Sequence, residues 1–274
     1  MMTDSRFKNP ATPQATAVSI PATPADHRAL LDQLKPIAEQ VLFDIFPMAD
    51  LRSSTLARDV KLLHVKDADR FIGEGTEGPT LFKMPVARIK HKLSEAGDAA
   101  AITVPRLSHK VGMGESGLNI FIVYGDRAFA STYFLSLITI HEYFHAYQLG
   151  SGFLHRNSTF RSFGLRRSSK NTALIGEIYA HKEGLHTMLS GVMQRSLDNQ
   201  LANDPRNELL QTITSSFRED RQRLLQEQTM KLVDYILALP PANRAYVFKR
   251  HLSRRVQEFL LERSSIAKMM PGIS

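Results

Sequence analysis

The chain contains no cysteine and no tryptophan. The first absence excludes disulfides, thiolate metal sites and cysteine nucleophiles, and it leaves the redox compartment open. Long apolar runs are missing as well. The most apolar stretch, Ala128 to Ile140, is interrupted by Ser131, Thr132, Ser136 and Thr139 and ends at a histidine. It falls short of the roughly 18 residues that a membrane span needs, so it reads as a buried helix and no membrane partner is expected. The opening residues, MMTDSRFKNPATPQ, have no apolar core of the kind a cleavable signal peptide carries. The expectation is synthesis in the cytoplasm, compatible with export as a secreted effector by a route that needs no such signal.

What is present fits a globular protein: 274 residues, 43% of them hydrophobic, are enough for a sizeable core. The charge balance is basic, with 35 Lys+Arg against 27 Asp+Glu giving +8. Two regions carry the excess. Residues 151–170 hold Arg156, Arg161, Arg166, Arg167 and Lys170 and no acid, and residues 243–268 hold seven Lys+Arg against Glu258 and Glu262. As solvated faces, such side chains cover apolar surface with their stems. As the rim of a cleft they would favour an acidic substrate segment. No nucleic-acid-binding module or stacking pattern accompanies the charge, so no nucleic acid partner is inferred.

Residues 1–25 are rich in Pro, Ala, Thr and Ser and are expected to form a disordered leader. Residues 26–274 are expected to form one domain, with an α+β part over 26–150 and a helical part over 151–274. The spacing of Leu30, Leu31, Leu34, Ile37, Val41, Leu42 and Ile45 predicts a helix that Pro36 should kink or split. Val60 to Val65, Ala101 to Val104 and Leu118 to Tyr124 predict strands, the last being the clearest. Between them, Gly112, Gly114 and Gly117 predict a mobile loop. GMGESG matches a GxGxxG pattern, but it precedes a strand instead of opening a helix, which excludes a dinucleotide loop. A helix is predicted from about Arg127 to Leu149, capped by Asp126, stopped by Gly150 and anchored by Phe134, Leu137, Ile138 and Phe144. After a basic loop, another helix should begin near Asn171, and the chain from Pro205 to Ser264 reads as almost wholly helical.

Within the central helix stands His141-Glu142-Tyr143-Phe144-His145, an HExxH sequence. Chance alone would place one in about one chain in sixty of this composition. Histidines four apart share a helix face and can present two imidazoles to one ion. Zinc takes such nitrogens with a carboxylate oxygen and keeps a position for water. Glu142 then faces the water, where a carboxylate can accept its proton as it attacks a carbonyl.

On this motif and its supporting helix, residues 100–190 resemble the zincin metallopeptidases. The resemblance implies a zincin-like α+β fold, a small mixed sheet with the HExxH helix beside it and a mainly helical C-terminal lobe. It implies Zn2+ as cofactor, His141 and His145 as ligands, Glu142 as general base and a peptide or protein as substrate. The metzincin pattern would need Gly at 148 and His at 151, where this chain has Gln148 and Ser151. The gluzincin branch takes its third ligand from a second helix, and Glu177, 32 residues after His145, fills that role. Gly176 beside it would permit close helix approach. His181, four residues after Glu177, stands where gluzincins often have an acid, and is either an orienting residue or itself a ligand; Glu183 and His155 are further candidates. The oxyanion donor is open among Tyr179, His155, Arg161, Arg166, Arg244 and Tyr246. Residues Ile120 to Tyr124 are expected to offer a strand edge to the substrate. The rival expectations are hydrolysis of a non-peptide amide, and a basic interaction protein whose HExxH is coincidental or vestigial.

Overall fold

The computed structural model describes residues 24–46, 60–72, 84–97, 99–109, 116–151, 153–264 and 266–270. The expected leader lies outside them except for Pro24 and Ala25, as do Gly112 and Gly114. The architecture is α+β and mostly helical, with one small mixed sheet. No described helix is long and apolar enough to cross a membrane.

Helix α1 (Pro24–Ile45) runs unbroken through Pro36. An interior proline costs about 3 kcal/mol. Each large apolar side chain taken from water returns about 1.5–3 kcal/mol, and α1 buries Leu31, Leu34, Ile37, Val41 and Leu42. Burial outweighs the proline, so the expected split does not occur.

The sheet holds β1 (Val60–His64), β2 (Ala101–His109) and β3 (Ser116–Tyr124) in the order β1-β3-β2. β1 pairs with β3 in parallel, and β2 pairs with it antiparallel. Two expectations are corrected here. β2 continues five residues beyond its predicted end at Val104, because an edge strand has one side on which the N–H that Pro105 lacks is not needed. β3 begins at Ser116, so Gly117 lies in the strand, and β3 is central. Its segment Ile120–Tyr124 is paired on both sides and has no free edge to offer a substrate.

The two faces of the sheet enter two cores. Ile120, Ile122 and Tyr124 join the main core with the long helices. Phe121 and Val123 join a smaller core with Val104, α2 (Ala68–Phe71) and α3 (Val86–Leu93).

A 3-10 turn at Asp126–Ala130 leads into α4 (Thr132–Gly150). Ser131, not Asp126, caps α4, accepting from the Phe134 amide at 3.1 Å, while the Asp126 carboxylate is engaged by His64 at 2.9 Å. Gly150 is the last helical residue and no left-handed stop follows it. Phe144 is buried and Leu137 and Ile138 are packed on the core, as expected. Phe134 is instead 40% exposed. It lies two turns before His141 on the same stripe, and that stripe faces outward.

The predicted basic loop contains a 3-10 turn (Phe153–His155) and α5 (Asn157–Ser162), because Leu154, Phe160 and Phe163 recur between the arginines and are buried. Gly164 follows at φ +63°, pinned by Asn243, which donates to Phe163 O at 2.8 Å. Helix α6 (Ser169–Ser190) starts at the cap Ser168, and Gly191 at φ +71° separates it from α7 (Val192–Asn203). Then come α8 (Glu208–Glu219), α9 (Arg221–Leu237), α10 (Pro241–His251), α11 (Arg254–Arg263) and α12 (Ile266–Met269). Helix α4 packs on β2, β3, α1 and α6, and α6 packs on α9.

Candidate metal centre

His141 and His145 project from α4 and Glu177 from α6, with side chains 20%, 15% and 31% exposed. Glu177 Oε2 is 3.6 Å from His141 Nε2, and Oε1 is 3.6 Å from His145 Nε2. His181, one turn along α6, brings its Nε2 to 3.5 Å from Oε2. Donors held about 2.0–2.2 Å from one ion in a near-tetrahedral set stand about 3.3–3.6 Å apart. The two 3.6 Å separations are too long for hydrogen bonds and match that spacing. Among the described residues, ligand atoms of His141, Glu177 and His181, and those of His141, Glu142 and His145, lie within 4.8 Å of one another.

The imidazole tautomers are set from behind. Gln148 donates its amide N–H to Gly176 O at 3.2 Å, which turns its Oε1 toward His145 Nδ1 at 3.3 Å. That oxygen can accept from Nδ1–H and leaves Nε2 as the nitrogen that faces Glu177. Gln228 of α9 does the same for His181, its Oε1 accepting from Nδ1 at 2.7 Å. His181 also stacks on Tyr235, with centroids 5.4 Å apart.

The protonation equilibria follow the same arrangement. Burial raises Glu177, but His141 and His145 outweigh it and hold the carboxyl well below the usual range. Burial lowers His145, yet the Glu177 carboxylate, with Glu142 behind it, pushes it up to about 9. His181 is driven down to about 3, by burial first and by His141 second. His145 is therefore paired as an imidazolium with the Glu177 carboxylate when only protons are available, and a divalent cation can replace that proton.

Glu142 is buried beside the histidines. The Thr103 hydroxyl of β2 lies 2.6 Å from Glu142 Oε2 and 3.1 Å from its carbonyl oxygen. One carboxylate oxygen is thus held and the other is left for a proton.

No family model, curated protein or solved structure matches the chain. The site therefore rests on its own geometry. Residues 141, 142, 145, 177 and 181 lie together, in two overlapping groups that share His141. Glu183 is paired with Lys182 at 2.9 Å, and the side chain of His155 lies outside the described residues. Gly176 does face His145 and Gln148, but an added Cβ would meet them at 3.5–3.8 Å, ordinary contact, so glycine is not required there.

None of the described oxyanion candidates bonds to the centre. Tyr179 donates to His251 Nδ1 at 3.0 Å, and Arg244 donates to Leu239 O. Arg161, Arg166 and Tyr246 are exposed. The five basic side chains of residues 151–170 are all exposed and form no ion pair with another described residue. Thr103, Gln148 and Gln228 were not foreseen. Gln148, three residues after His145 on a buried helix, carried the one local signal.

Proposed function

We propose that the chain is a metal-dependent peptidase in which His141, His145 and Glu177 hold a divalent ion, zinc by its donor set, and Glu142 is the general base. The observation that carries the reading is the convergence of two imidazole nitrogens from α4 on the carboxylate of Glu177, each 3.6 Å from one of its oxygens. Such an ion lowers the pKa of a bound water toward neutrality and polarises a carbonyl. Glu142 takes the water's proton on the oxygen that Thr103 leaves free and returns it to the departing amine.

The substrate's place moves from β3 to β2. β2 is the antiparallel edge strand, its Thr103 touches Glu142, and its outer edge can pair with an extended peptide. The exposed Phe134 ring, on the same α4 stripe as His141, adds an apolar contact for a substrate side chain. The exposed arginines of residues 156–167 favour acidic segments to the extent that they line the approach.

Metal content per chain, measured by elemental mass spectrometry, tests the site. About one zinc is expected in the parent and none in His141→Ala, with Glu177→Ala weakened. No metal after zinc is supplied would move the reading to a basic interaction protein. Peptide cleavage tests the chemistry: Glu142→Gln should keep the metal and lose about 10²–10⁴-fold in rate. An active Glu142→Gln protein refutes the mechanism. Turnover of non-peptide amides in preference to peptides would reassign the substrate.

A further inference from the structure

The position of His181 does not suit an orienting residue. A residue that orients a ligand imidazole bonds to that ring's outer nitrogen. His181 instead aims Nε2 at Glu177 Oε2, the oxygen that also faces His141 Nε2, at 3.5 and 3.6 Å. Its Nδ1 meets the Gln228 oxygen at 2.7 Å, which leaves Nε2 as the nitrogen open to an ion. His181, Glu177 and His141 thus form one group whose ligand atoms lie within 4.8 Å of one another, as donors to one shared cation must. The ring cannot turn away, because it is 3% exposed, stacked on Tyr235 and tilted 35° against His141 at 4.7 Å.

We propose that His181 is a metal ligand in its own right and that Gln228 is the residue that positions it. The centre then consists of three imidazoles and one carboxylate. This inference rests on the metal-site reading above and changes what that site can do. Four protein donors fill a tetrahedral shell, as they do in structural zinc sites. Water enters only as a fifth ligand, so hydrolysis depends on an ion that expands its coordination. Histidine and carboxylate donors accept several such divalent ions besides zinc.

The test uses the full chain and Zn2+ alone, following imidazole nitrogens by long-range proton–nitrogen correlation during a titration. Three histidines should show a shifted Nε2, and the third signal should be absent in His181→Ala. Two shifted rings would overturn the inference and leave the metal site standing; no shifted ring would overturn both. The count in the parent chain needs no variant, so a misfolded His181→Ala does not blunt it. Gln228→Leu, at a half-buried position, should weaken zinc binding about 10–100-fold. Unchanged affinity in Gln228→Leu would remove the positioning role.

Discussion

The protein contains two clusters of histidine with carboxylate, and they are built on opposite principles. At the junction of β1 with the turn after β3, His64 donates Nε2–H to Asp126 at 2.9 Å and accepts the Lys66 amide on Nδ1 at 3.3 Å. Both ring nitrogens are used, and His27 closes the cluster by stacking on Phe129 with centroids 4.0 Å apart. Between α4 and α6, His145 and His181 use only Nδ1 and turn Nε2 toward Glu177, beyond or at the limit of hydrogen-bond range. The His64–Asp126 pair is complete with protons alone, and the nitrogen its cluster leaves over, His27 Nδ1, joins no metal-ligand group among the described residues. In the second, nitrogens from two helices converge on one carboxylate, and it is that convergence, not the histidines themselves, that marks a site for an ion.

The sharpest way to break this contrast is to truncate one histidine from each cluster. His141→Ala should lose the metal altogether. His64→Ala should keep about one ion per chain while lowering stability by about 1–3 kcal/mol, since it removes a ring that is 3% exposed and packed against His27 and Phe129. Metal analysis beside thermal melting reads both, and loss of metal from His64→Ala would erase the distinction.

A smaller effect is expected where only orientation is removed. Gln148→Leu takes away the oxygen that holds the His145 proton on Nδ1, and metal affinity should fall about 10–100-fold with one ion still bound at saturation. Competition against a chelator of known affinity measures it.

Proton release sharpens the contrast further. His145 is raised to about 9, so below that pH the metal-free site carries a proton that a cation must expel. His181, lowered to about 3, has none to give. Between pH 7 and 9, binding should release about one proton, and affinity should rise about tenfold per pH unit before levelling above 9. Calorimetry in two buffers of different ionisation enthalpy counts the proton, and zero release at pH 7 would contradict the pairing of His145 with Glu177.

The smallest effect is expected at Gly176. Alanine there makes ordinary contacts and relieves glycine's entropy cost, so stability should rise by up to about 1 kcal/mol with metal content unchanged.

The parts legible in the sequence are those set by spacing along one element. His141 and His145 four apart, and Glu177 with His181 four apart, needed only the helical period to share a face. The helical second half was legible for the same reason. The parts that were not legible depend on segments far apart in the chain. Thr103 meets Glu142 across 39 residues, and Gln228 meets His181 across 47. No periodicity announces either contact. The misplacement of the substrate edge had a readable cause. Residues 120–124 are an unbroken apolar run, all buried. A run without alternation marks a strand covered on both faces and flanked by neighbours, while the edge belongs to the more mixed Ala101–His109. Phe134 shows the converse, an apolar residue whose exposure follows from sharing a stripe with the histidines.

The bond between His181 and Gln228 also sets a schedule. During synthesis the HExxH helix and Glu177 emerge before α9 does, and until α9 docks on α6 nothing fixes the His181 ring. A chain cut between α8 and α9 would carry every residue of the motif and still lack the finished centre. The full set of positioned side chains is therefore completed late, once the chain has been made through α9, and an unfinished chain carries the motif without a fixed His181 ring.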